Sequence, residues 1–123
     1  MNEKMFQEVF DQIVGFLPSD WKDLQFFALY TEGSYSMKFY YKDAKGRYID
    51  CFSISDIADR VIDAFIDINK ILSSHRAEFD GSSKWTVFTM SVSKDGQFDT
   101  DFDYSDHSED AISVERNWKR KFL

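Results

Sequence analysis

The chain has 123 residues, 43% of them hydrophobic and 18% aromatic, with 13 phenylalanines. That much apolar material can bury a core, which excludes wholesale disorder and fits one domain spanning residues 1–123. A net charge of -7 argues against general binding to nucleic acid or an anionic membrane and favours a basic partner.

The lone cysteine, Cys51, excludes an intrachain disulfide and suits a reducing compartment. The N-terminus, MNEKMFQEVFDQ, places charges inside its apolar pattern, unlike a signal peptide, and no run spans a membrane. The expected location is the cytoplasm.

Residues 2–17 read as an amphipathic helix. Phe6, Val9, Phe10, Ile13, Val14 and Leu17 recur at three- and four-residue spacing. Pro18, which lacks an amide hydrogen, stops it. Residues 24–31 form a strand apolar on both faces. After a turn at 32–34, Tyr35, Met37, Phe39 and Tyr41 alternate with Ser36, Lys38, Tyr40 and Lys42 as a second strand. Residues 43–47 turn the chain into a third strand, 48–54. Such short connections require antiparallel neighbours.

Ser55 and Asp56 can cap a second helix running to about residue 73, or as far as 79. Its stripe of Ile57, Ala58, Val61, Ile62, Ala64, Phe65, Ile68, Ile71 and Leu72 is wide, as for a helix lying across a sheet. Its polar side carries Asp59, Asp63 and Asp67, read either as a solvated face or as a second acidic contact surface.

A loop at 78–84 leads to a hairpin opened by Trp85. Phe98, Thr100, Phe102 and Tyr104 alternate with Asp99, Asp101 and Asp103. A two-residue Asp95-Gly96 loop would pair Val92 with Asp99 and put a carboxylate on the apolar face. A three-residue loop, Lys94-Asp95-Gly96, instead sets Val92, Met90 and Phe88 opposite Phe98, Thr100 and Phe102. The second register follows, with Gly96 left-handed in a bulge. The aspartates then share the outer face with Ser91, Thr89 and Val87. Residues 105–110 continue as an acidic loop, and a short basic helix covers about 113–122, with Val114, Trp118 and Phe122 on one side. The order α-β-β-β-α-β-β-α makes an α+β domain with a largely antiparallel sheet and the helices on one face of it.

Between residues 95 and 110 stand seven acidic residues and no lysine or arginine; the rest of the chain is electrically balanced. Several chemistries compete to explain this segment. The run from Asp99 to Asp110 begins like a calcium-binding loop, but Tyr104 stands where the sharp turn needs glycine, and Asp110 replaces the long bidentate glutamate. Carboxylate-pair hydrolysis needs two acids in distinct environments in a cleft, not three on one solvated strand. Cys51, His75 and His107 lack metal-ligand spacing, and no glycine-rich phosphate loop occurs. No enzyme activity and no cofactor are therefore expected. Recognition of a basic protein fits the charge, with Trp85 and Tyr104 as aromatics at its edge.

Several short features support a family resemblance. They are Leu17-Pro18-Ser19-Asp20-Trp21, Phe39-Tyr40-Tyr41, Trp85, Gly96-Gln97-Phe98, the Asp-Phe-Asp-Tyr run at 101–104, and Trp118-Lys119. Their order and spacing make the chain resemble the YezG-like immunity proteins, small cytoplasmic antitoxins encoded beside LXG-type toxins of type VII secretion systems in Gram-positive bacteria. The chain departs from the pattern at its close, Lys121-Phe122-Leu123, where a glycine is expected. The resemblance implies a non-enzymatic antitoxin that binds a toxin's C-terminal domain, often a nuclease, without touching nucleic acid or membrane. Joined to the charge argument, it makes Asp99, Asp101, Asp103, Asp106, Glu109 and Asp110 the candidate partner-binding residues. If the basic last helix packs over the acidic strand, the binding surface shifts to residues 105–110 or to the second helix. The alternative function is a small ligand-binding or catalytic domain with a pocket between the sheet and the second helix.

Overall fold

A computed structural model describes residues 3–53, 58–81, 84–105, 107 and 110–123. The alternating segments become a five-stranded antiparallel sheet in the order β3-β2-β1-β4-β5, built from β1 (Asp23–Thr31), β2 (Ser34–Lys42), β3 (Tyr48–Asp50), β4 (Val87–Ser93) and β5 (Phe98–Asp103). Helices α1 (Glu3–Val14), α2 (Ala58–Arg76) and α3 (Ala111–Phe122) complete the α-β-β-β-α-β-β-α order.

The hairpin register is the expected one. Val92 faces Phe98, Met90 faces Thr100 and Phe88 faces Phe102, while Ser91, Thr89 and Val87 face Asp99, Asp101 and Asp103. The Ser93 N–H donates to the Gln97 carbonyl at 2.9 Å, and Gly96 sits at φ 93°, so the loop is Lys94-Asp95-Gly96.

One face of the sheet carries Leu24, Phe26, Ala28, Phe39, Phe88, Met90 and Val92. It packs against Val9 and Ile13 of α1 and Val61, Phe65, Ile68 and Leu72 of α2. Each fully buried aliphatic or phenyl side chain there contributes roughly 1.5–3 kcal/mol. The expectation that all helices share one face is wrong. Helix α3 covers the opposite face, where Trp118 packs with Phe27, Leu29, Tyr40 and Val87, and Val114 and Phe122 flank it. The cause is β1, whose apolar residues point both ways and leave Phe27 and Leu29 needing a cover.

Other boundaries also shift. Helix α1 ends at Val14 rather than 17, since Gly15 propagates a helix poorly and the chain leaves through tight turns, Phe16 N–H to Ile13 C=O and Leu17 N–H to Val14 C=O. Strand β3 stops at Asp50 rather than 54, because the Asp50 carboxylate accepts the Phe52 N–H at 2.9 Å and bends residues 51–53 into a 3₁₀ turn. Helix α2 extends to Arg76. Helix α3 starts at Ala111, two residues early. The Ser55 and Asp56 caps lie outside the described residues.

Candidate partner-binding surface

Strand β5 is an edge of the sheet, and its side chains divide by face. Phe98 and Phe102 lean toward the α1/α2 side, against Phe10 and Phe88. Asp99, Asp101 and Asp103 therefore point to the α3 side, spaced roughly 7 Å apart along an extended strand. Asp99 and Asp101 are exposed and Asp103 is half-buried. The face they share is only partly solvated. Thr89, beside Asp101, is 2% exposed under α3, and the Trp118 indole N–H donates to its hydroxyl at 2.9 Å. The expectation of a wholly open acidic face is corrected to an acidic margin along a covered one.

Among the described residues no lysine or arginine pairs with this margin, and neither Asp99 nor Asp101 forms an ion pair. The Ser91 hydroxyl, next to Asp99, donates to Gln25 Oε1 at 2.5 Å instead. Lys94, the hairpin's own cation, donates to the Ser19 carbonyl at 2.8 Å and lies over the Trp21 ring. Lys119 pairs with Glu115 and sits over Tyr40. Arg116 and Arg120 are exposed. The basic helix covers the sheet but, among the described residues, forms no ion pair with the strand. Between them lies a cleft of ≈ 230 Å³ with a floor of Val87, Val114, Trp118 and Phe122 and a rim of Asp101, Asp103, His107 and Lys121.

Asp103 differs from the other two. Its carboxylate accepts the Ser105 N–H at 2.9 Å and meets His107 Nε2 at 3.0 Å. Burial pushes its pKa up, but the Ser105 amide and His107 outweigh this and hold it below the ordinary aspartate range. Asp103 thus shapes the loop that follows β5. Asp110 is exposed at the start of α3 and makes no side-chain cap there. Asp106 and Glu109 lie outside the described residues.

The aromatics expected at the margin separate. Tyr104 is 53% exposed, but Trp85 is 1% exposed, a core residue whose indole N–H donates to His75 Nδ1 at 2.9 Å. His75 stacks against Phe102 and meets Phe79 edge-on. It is a satisfied core histidine, and only its place on the apolar side of α2 hinted at that. Cys51 is buried, and burial pushes its thiol up to about 12, so it is no nucleophile. Among the described residues no three acidic, histidine or cysteine side chains group as a metal site. The region between sheet and α2, where a ligand pocket was the alternative, is filled by Phe26, Phe39, Val61, Phe65, Ile68 and Leu72. On α2, Asp59, Asp63 and Asp67 are exposed, beside exposed Ile62 and Ile66. No helix is long and apolar enough to cross a membrane among the described residues.

The immunity protein YezG of Bacillus spizizenii is 26% identical to this chain over 127 residues, an alignment covering 95% of the chain and 74% of that protein. The model of the family described as "Immunity protein YezG-like" matches residues 2–123. With the family matched over almost the whole length, the chain belongs to the YezG-like immunity proteins.

Proposed function

We propose that this protein is a non-enzymatic antitoxin that acts in the cytoplasm by binding a cognate toxin domain through the acidic margin of β5 and the loop after it. The observation that carries the reading is the uncompensated pair Asp99 and Asp101 on an exposed sheet edge, in a chain whose whole acidic excess lies between residues 95 and 110. A toxin that acts on nucleic acid presents a cationic surface to phosphates, and an acidic row can occupy that surface and block substrate entry. On this reading the partner is the C-terminal nuclease domain of an LXG-type toxin. Asp99, Asp101 and Asp110, with Asp106 and Glu109, meet its cations, while Asp103 positions the loop.

The test is co-expression with the toxin encoded beside the gene, followed by pull-down. D99K/D101K reverses two exposed charges without touching the core or the Asp103 hydrogen bonds. The double variant should keep the wild-type melting temperature, bind about tenfold or more weakly, and fail to protect cells. A folded variant that protects fully would refute the acidic-margin reading. A second reading places the contact on α2, where exposed Ile62 and Ile66 lie among Asp59, Asp63 and Asp67. In that case D63K, rather than D99K/D101K, abolishes capture.

A further inference from the structure

The reading above concerns the side chains of β5; its backbone carries separate information. Antiparallel strands alternate residues whose N–H and C=O point to one neighbour with residues whose groups point to the other. The Gln97 carbonyl accepts from Ser93, and the Asp103 carbonyl accepts from the Thr86 N–H at 2.7 Å. Residues 97, 99, 101 and 103 therefore direct their backbone inward to β4. The N–H and C=O groups of Phe98, Thr100 and Phe102 point outward, and among the described residues no strand pairs with that side.

We infer that the outer edge of β5 is a docking strand that accepts an extended basic segment of the partner as a sixth strand of the sheet. The occupant's pattern follows from the geometry. Toward an added antiparallel strand, Asp99, Asp101 and Asp103 occupy the non-hydrogen-bonded positions, where facing side chains come closest. A lysine or arginine at every second position of the guest meets them there. The guest's alternate residues fall on the other face, beside Phe98, which is 39% exposed, and half-buried Phe102. Those positions call for apolar side chains.

The same charge row makes a second copy of the chain an unfavourable guest, because two β5 edges would oppose carboxylates. The opposite edge is a poorer host. Strand β3 has three residues and ends in the turn held by Asp50. Edge addition draws affinity from backbone hydrogen bonds and specificity from alternate side chains.

The inference rests on β5 being the partner surface, so its test reads the backbone rather than the charges. Amide hydrogen exchange of the ¹⁵N-labelled protein is followed alone, with an end-blocked eight-residue peptide alternating lysine and valine, and with the matching glutamate–valine peptide. The amides of Phe98, Thr100 and Phe102 should exchange fast in the free protein. The lysine peptide should slow them at least tenfold, and the glutamate peptide should leave them unchanged. T100P removes one outward N–H at an edge position where proline is tolerated. It should weaken lysine-peptide binding at least tenfold without altering charge. Binding that perturbs Asp99 and Asp101 while the three amides stay fast overturns the added strand and leaves the acidic-margin reading standing. Failure of the lysine peptide to bind overturns it too. Protection that rises with protein concentration alone overturns it in favour of a second copy.

Discussion

A single hydrogen bond shows how α3 is held on the far face of the sheet. Trp118 is 6% exposed, and its indole N–H has the Thr89 hydroxyl as acceptor at 2.9 Å. An indole N–H buried without a partner costs about 1–3 kcal/mol, whereas removing both partners with matched shapes can be nearly neutral. T89V conserves volume and deletes the acceptor, so it should destabilise by about 1–3 kcal/mol. Once W118F has removed the donor, adding T89V should cost much less. Urea denaturation of the four proteins in this cycle measures the coupling. Strictly additive effects would mean that the bond contributes nothing and that α3 is held by ring packing alone. Nothing in the local sequence marked this contact. Thr89 lies among alternating residues beside an aspartate, and its partner is 29 residues away.

At the scale of elements, what was legible follows from how local the cause is. The β4–β5 register could be read because a one-residue slip would drive Asp99 onto the apolar face, so the pattern admits a single pairing. The place of α3 could not be read from its own residues, because Val114, Trp118 and Phe122 require a partner surface without naming it. The clue lay in β1, where Phe27 and Leu29 are as buried as Phe26 and Ala28. Turn chemistry decided the early end of β3, through an Asp50 side chain that a strand pattern ignores. Of the candidate binding residues, the exposed pair Asp99 and Asp101 was legible from alternation. The separate task of Asp103 was not, because it depends on where the chain goes after the strand.

Three carboxylates in turns or at a strand end, Asp43, Asp95 and Asp103, make a pH prediction. Asp43 is held below the ordinary aspartate value by the backbone N–H of Arg47, helped by the Lys45 amide and the Arg47 guanidinium. Asp95 is held low chiefly by the Ser93 hydroxyl, which donates to it. Asp103 is held low by Ser105 and His107 against its burial. A folded-state value below the unfolded one, about 3.9, gives stability that is fully present above that value and lost as pH falls through the folded value. The acid limb should therefore lie below about pH 4. D43N keeps an oxygen to accept the amides but removes the charge. It should lower stability at neutral pH and shrink the difference between pH 7 and pH 2.5. Urea midpoints at both pH values check this, and an unchanged difference would show that Asp43 titrates alike in both states.

At the scale of the whole molecule, the net charge of -7 is a field with one source, and α3 brings a counter-charge to its border. Lys121 lines the same cleft as Asp101 and Asp103 but pairs with neither among the described residues. Long-range attraction of a basic partner depends on the summed field, so it sets the association rate more than the final contacts do. Removing Lys121 deepens the negative potential over the cleft, and removing Asp99 and Asp101 flattens it. With the captured toxin domain at low salt, K121Q should associate about twofold faster than wild type, and D99N/D101N about tenfold slower. Both differences should narrow as salt rises, since screening shortens from about 10 Å at 0.1 M to about 3 Å at 1 M. Stopped-flow association over that range separates two roles for the helix. If K121Q is slower than wild type at every ionic strength, Lys121 touches the partner directly, and the docking surface proposed on β5 extends across the cleft onto α3.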